Sequence, residues 1–150
     1  MQESKVINEF KNDYEMFSNF YPVLIYHSGN NFPSVEHAYV ASKSKDPLVW
    51  YRVSQIPEDK AGRAKRFGEK ITLRKNWDML KLSYMRKFLM QKFSYYSFKE
   101  LLLSTGDAIL IEGNYWCDNY WGDCYCPKCE NIVGQNQLGK MLMKVRDIIK

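Results

Sequence analysis

No apolar run in these 150 residues approaches the ~20 that a membrane-spanning helix requires, so nothing in the sequence reads as a bilayer segment. The opening Met1-Gln2-Glu3-Ser4-Lys5 lacks the apolar core of a secretory signal. Glycine (8) and proline (5) are scattered, and no linker, internal repeat or low-complexity tract divides the chain. One domain over residues 1–150 is therefore expected, long enough to bury a core without disulfide staples. The cysteines number only 4, all crowded between Cys117 and Cys129 rather than spread as a disulfide framework. Together with the missing signal, that crowding predicts reduced thiols and a cytoplasmic location, with no membrane partner.

What is present is an apolar and aromatic chain, 45% hydrophobic and 15% aromatic with 11 tyrosines, which excludes disorder as the default. Tyrosine and tryptophan bury well and keep a polar edge, so they serve a core or a ring- and sugar-binding surface. The net charge of +5 favours anionic partners. Lysines and arginines are dispersed except at Arg63, Lys65 and Arg66, which read equally as a solvated helix face or a phosphate patch.

Local patterning predicts a helix-rich α+β domain with a small β-sheet. Val6–Phe10 and Val23–Tyr26 look like strands, with Gly29-Asn30-Asn31 as a turn returning the second as a hairpin. Ser34 is the expected N-cap of a helix reaching about Lys43. Further helices are expected over Pro47–Val53 and over Pro57–Phe67, the latter stopped by Gly68. Trp77, Leu80, Tyr84, Phe88 and Leu89 form a helical stripe, with Lys81 on or beside it. A shorter helix over Phe98–Leu103 leads to a buried strand over Ala108–Ile111 that delivers Glu112. The last helix, Gln137–Ile149, presents Leu138, Met141, Leu142, Val145 and Ile149 on one face. Asn136 is the expected N-cap of that helix, Gly139 a place of close backbone approach, and Arg146 a residue paired with an acid. Gly113–Gln135 has no periodicity, yet holds Trp116, Trp121, Asp118, Asp123 and every cysteine. A loop longer than ~12–15 residues in a compact domain calls for a function or a staple.

Five groups of residues, in order along nearly the whole chain, carry a resemblance. They are Phe17-Ser18-Asn19-Phe20-Tyr21-Pro22; Phe32 to Tyr39 with Ala41 and Lys43; and Trp77-Asp78 with Lys81, Met85 and Lys92-Phe93. Thr105-Gly106-Asp107 with Glu112 follows, then Asp118, Trp121-Gly122, Gly134, Asn136, Leu138-Gly139-Lys140, Leu142-Met143 and Arg146. With these motifs the chain resembles the YbiA-like family, also called NADAR. The resemblance implies an α+β fold and hydrolysis of a ribose–nitrogen bond in a phosphorylated ribosyl substrate. Family substrates are ADP-ribose attached to guanine, free or in nucleic acid, and ribosylaminopyrimidine phosphates of riboflavin synthesis. A non-catalytic ADP-ribose-binding module is the reading from outside the enzymes. The resemblance implies no catalytic cofactor and no obligate protein partner. The chain departs from the family in Asp123-Cys124-Tyr125-Cys126-Pro127-Lys128-Cys129, where many relatives have a short glycine-rich turn after Trp-Gly.

Cleaving a ribose–nitrogen bond builds positive charge on the ring oxygen and anomeric carbon, which a carboxylate can stabilise while orienting water. By position Glu36 complements a helix dipole; by the family motif it is the catalytic carboxylate. Asp118 is the second catalytic candidate, although a loop aspartate also serves as a turn residue. Lys43 lies seven residues beyond Glu36, ~10 Å along the same helix face, a reach that suits a substrate phosphate. Asn19, Phe20, His37, Trp77, Lys81 and Trp121 complete the substrate-binding set that the motifs imply, with the two tryptophans as walls for the base. Trp77 and His37 have core readings beside these.

Cys126-Pro127-Lys128-Cys129 has the gap of a zinc knuckle, and Cys124 and Cys117 could complete four thiolate ligands. Structural zinc and free thiols are both open readings. Catalytic zinc is excluded by the lack of an open coordination position.

Overall fold

The computed structural model describes residues 3–150. Met1 and Gln2, which open the segment read above for a secretory signal, lie outside them. In chain order the elements begin β1 (Val6–Ile7), β2 (Ile25–His27), β3 (Asn30–Phe32), α1 (Val35–Ser42), α2 (Pro47–Ser54) and α3 (Ala61–Gly68). They continue with α4 (Trp77–Lys92), α5 (Tyr96–Ser104), β4 (Ile109–Leu110), β5 (Gly113–Asn114), β6 (Asp123–Cys124) and α6 (Gln137–Ile149). The fold is helix-rich α+β as expected, but its strands form three two-stranded pairs instead of one small sheet. Among the described residues no helix is long and apolar enough to cross a membrane.

The chain forms two compact units, Asn19–Ser94 and the remainder up to Ser18 with Tyr95–Lys150. In the first, Ser28 and Gly29 take φ of +50° and +78°. Successive left-handed residues form the primed two-residue turn that matches strand twist. Asn30 and Asn31 thereby enter β3 opposite His27 and Tyr26, so the turn falls slightly earlier than the sequence predicts. Ser34 caps α1, accepting the His37 N–H at 3.1 Å. The expected Pro57–Phe67 helix breaks into a 3-10 turn, Glu58–Lys60, and α3. Gly68 is the last residue of α3 rather than a left-handed stop. A Cβ there would lie 2.9 Å from Val40 Cγ2, so glycine is what lets α3 close on α1. The stripe on α4 buries Trp77, Phe88 and Leu89 as expected, joined by Met85.

In the second unit β1 pairs with β4 and β5 with β6, both parallel. Leu138, Met141, Leu142 and Val145 of α6 are buried, as the spacing predicts. A Cβ on Gly139 would overlap the Leu110 carbonyl oxygen, the close approach expected there. Arg146 departs from expectation and Asn136 meets it in part, standing at the N-cap position of α6, because their side chains find partners far along the chain. Among the described residues Arg146 meets no acid; its Nη1 donates to Thr105 Oγ1 and the Ala108 carbonyl, each at 2.9 Å. Asn136 makes no cap bond with its side chain. Its Oδ1 accepts the Glu112 N–H at 3.0 Å and its Nδ2 donates to the Leu110 carbonyl at 2.9 Å, clasping the end of β4.

Candidate active site

Glu36 stands half-buried in the first turn of α1, where exposed helix N–H groups favour a carboxylate. Its own N–H donates to the Asn19 carbonyl at 3.0 Å, which ties the Asn19-Phe20 segment to the helix start. Asn19 is buried, its Nδ2 reaching Met85 Sδ at 3.6 Å, while its Oδ1 has no hydrogen-bond partner among the described residues. Phe20 is 41% exposed, beside Gly62.

Lys43 follows α1 as its C-cap, half-buried. Burial pushes its ammonium below the usual lysine value, against the opposing pull of Glu36 and Glu69; Lys65 and Lys81 lower it further. Those influences collect Glu36, Lys43, Lys65, Glu69 and Lys81 into one electrostatic neighbourhood. Lys81 is only 21% exposed along its side chain and pairs with Asp78 at 3.3 Å. Lys65 of the basic stretch thus falls within electrostatic reach of Lys43, while Arg63 and Arg66 line a groove.

His37 and Trp77 belong to the framework that holds these groups. His37 is fully buried, with Nδ1 2.6 Å from Ser34 Oγ and Nε2 3.1 Å from the Ile56 carbonyl. A carbonyl only accepts, so Nε2 carries the proton, and Nδ1 accepts from the serine hydroxyl. Both ring nitrogens are spent inside the protein, and burial lowers the ring's pKa, which keeps it neutral. Trp77 is 6% exposed, its ring 5.3 Å from Tyr39 and stacked 5.9 Å from Tyr84. It supports the wall of the neighbourhood rather than presenting a face.

One feature lay beyond the sequence reading. Arg52, Arg63, Arg66 and Lys70 line a groove of about 520 Å³ with Tyr51 and Phe67, on α2, α3 and the residues that follow α3. Arg63 and Arg66 at helical spacing were the available signal; the contribution of Arg52 from another helix was not. Four cations beside two aromatic rings suit phosphates carrying a flat base.

Asp118 and Trp121 lie in the other unit. Asp118 Oδ1 accepts the N–H groups of Tyr120 and Trp121 at 3.1 and 2.9 Å. Asn114 adds a second clamp: its Nδ2 donates to the Asp118 carbonyl at 2.8 Å and its Oδ1 accepts the Asp118 N–H at 3.1 Å. Asp118 therefore builds the turn that sets Trp121, whose ring packs edge-on to Tyr120 at 4.9 Å. The sulfurs of Cys117, Cys124, Cys126 and Cys129 gather within 4.8 Å of one another, a donor set of the kind that holds a soft metal ion.

Residues 7–150 match the family model described as the NADAR domain, and the chain belongs to that family. It is 37% identical over 145 residues to N-glycosidase Npun_R5314 of Nostoc punctiforme, covering 91% of this chain and 86% of that one. It is 32% identical over 154 residues to N-glycosidase YbiA of Escherichia coli, covering 98% of this chain and 90% of that one. The NMR structure of E. coli YbiA superposes with a TM-score of 0.83 over 99% of this chain and 87% of that one, at 32% identity. A riboflavin biosynthesis protein of Vibrio vulnificus, VVA0006, is 31% identical over 154 residues, 98% of this chain but 39% of its own length.

Proposed function

We propose that this enzyme, an N-glycoside hydrolase by its family, cleaves the ribose–nitrogen bond of ADP-ribose attached to guanine. The observation that carries the reading is a helix-start carboxylate, Glu36, sharing one electrostatic neighbourhood with the half-buried Lys43. Glu36 stabilises positive charge as it develops on the ribose and orients the attacking water; Lys43 and Lys81 hold a phosphate. Asn19 Oδ1, an orphaned acceptor next to the Glu36 anchor, is suited to a ribose hydroxyl after a small side-chain shift. On the family motif alone, Asp118 is proposed as a second carboxylate and Trp121 as a base-binding residue of their own unit.

The groove of four cations and two aromatic rings favours a substrate with more than one phosphate, or a nucleic-acid strand continuing past the modified base. A ribosylaminopyrimidine phosphate, with one phosphate, is the second reading, favoured by the likeness to VVA0006. A binding module without turnover has less support, because a reader needs no carboxylate at the anomeric carbon. The deciding experiment offers the purified protein ADP-ribosylated guanosine and the ribosylaminopyrimidine phosphate in parallel and follows release of the free base. Faster release from the first supports the proposal, faster release from the second reassigns the substrate, and binding without release from either removes the hydrolase reading.

A further inference from the structure

The four cysteines make a construction that the hydrolytic chemistry leaves unused. Their Sγ atoms lie within 4.8 Å of one another, with Cys117 and Cys126 already 3.5 Å apart. Zinc held by four thiolates at ~2.3 Å requires sulfurs ~3.8 Å apart, so a contraction of about an ångström or less completes the tetrahedron. The cysteines are unpaired by disulfides, and Cys124 and Cys129 are buried.

Hydrogen-bond donors converge on two of the sulfurs. The backbone N–H groups of Cys117 and Cys126 both donate to Cys124 Sγ, at 3.2 and 3.4 Å. Asn119 Nδ2 donates to Cys129 Sγ at 3.3 Å, while Asn119 Oδ1 accepts the Cys124 N–H at 3.0 Å. Such outer bonds orient ligands at metal sites. Cys117 itself sits at φ +65°, a left-handed conformation that a side-chain-bearing residue adopts at a cost. That turn of the backbone brings its sulfur to the other three.

We infer that Cys117, Cys124, Cys126 and Cys129 form a structural zinc site that folds the long loop of this chain. Four protein ligands fill the coordination sphere, so the ion does no hydrolysis. A tetrahedral all-sulfur set suits zinc or iron, and the general affinity order for divalent ions places zinc above ferrous iron. Each thiol releases its proton to solvent as its zinc–sulfur bond forms, so binding weakens at low pH. The site closes the chain between Cys117 and Cys129, the stretch that contains Asp118, Tyr120 and Trp121. It occupies the segment where the chain departs from the glycine-rich turn of many relatives.

The test needs no substrate, so it stands or falls separately from the hydrolytic proposal. Protein purified without a metal-binding tag is analysed for metals; the expected result is about one zinc per chain. The reduced, zinc-stripped protein is then titrated with Co(II), and tetrahedral thiolate coordination gives intense charge-transfer bands in the near ultraviolet and d–d bands in the red. Cys126→Ser and Cys129→Ser should each lose the zinc and melt at lower temperature. Should those variants fail to fold, the Co(II) titration of the unmutated chain decides. Zinc below about a tenth of an equivalent with no cobalt–thiolate bands overturns the site. Stoichiometric iron in place of zinc overturns the metal assignment.

Discussion

Replacing Ser34 with alanine removes one oxygen that performs two tasks. Ser34 Oγ accepts the His37 N–H at 3.1 Å, capping α1, and donates to His37 Nδ1 at 2.6 Å. Loss of an N-cap costs about 1 kcal/mol. The imidazole Nδ1 is then left without a partner in a fully buried position, at about 1–3 kcal/mol more. The sum, roughly 2–4 kcal/mol, corresponds to a melting temperature lower by roughly 4–16 °C for a chain of this size. Thermal and urea denaturation followed by circular dichroism measure it. In a His37→Leu background the cost of Ser34→Ala should shrink toward the cap contribution alone, about 1 kcal/mol, because the stranded nitrogen is gone. A cost below about 0.5 kcal/mol in the unmutated background would refute the assignment of both bonds and of the His37 tautomer that rests on them.

Two further predictions concern stability. His27 is buried between Lys87, which donates to Nδ1 at 3.2 Å, and Ser28, so burial first, then Lys87 and Arg74, lower its pKa from 6.5 to about 4. Above pH 6.5 both folded and unfolded states carry it neutral, and below that the unfolded chain takes up a proton that the folded one refuses. Stability should therefore fall as pH drops from 6.5 toward 4, and His27→Gln should flatten that limb in urea titrations; an unchanged slope would rule the histidine out as its cause. Gly68→Ala places a Cβ 2.9 Å from Val40 Cγ2 and should destabilise by about 1–3 kcal/mol, with Val40→Ala expected to restore part of the loss. Equal stability of Gly68→Ala and the unmutated protein would show that α3 does not close on α1 as described.

The parts of this molecule written in short-range chemistry were legible before any coordinates. Pro33-Ser34 announces α1 because a cap acts on the N–H three residues away, and α6 follows the spacing of Leu138, Met141, Leu142 and Val145. The side-chain partners of Asn136 and Arg146 lie at separations of 24 to 41 residues, which no local spacing displays. The groove escaped notice for the same reason: Arg52 and Arg66 meet only after α2 and α3 have folded. The loop over 113–135 shows no periodicity because its order comes from side chains bonding backbone, Asn114 and Asn119 above all, and from sulfurs brought together. Motif resemblance proposes Glu36 and Asp118 as catalytic, whereas their positions alone read as dipole and turn residues. The turn reading of Asp118 is borne out in its Oδ1 bonds.

The central claim is that Glu36 carries the chemistry, and Glu36→Gln tests it most directly because the amide keeps the size of the carboxylate and removes its charge. On whichever ribosyl substrate the enzyme turns over, the variant should retain ligand affinity within a few-fold, measured calorimetrically, while kcat falls by about 10²–10³. Near-unmutated turnover by a folded Glu36→Gln protein would contradict the account and move the catalytic carboxylate elsewhere, with Asp118 the next to be replaced.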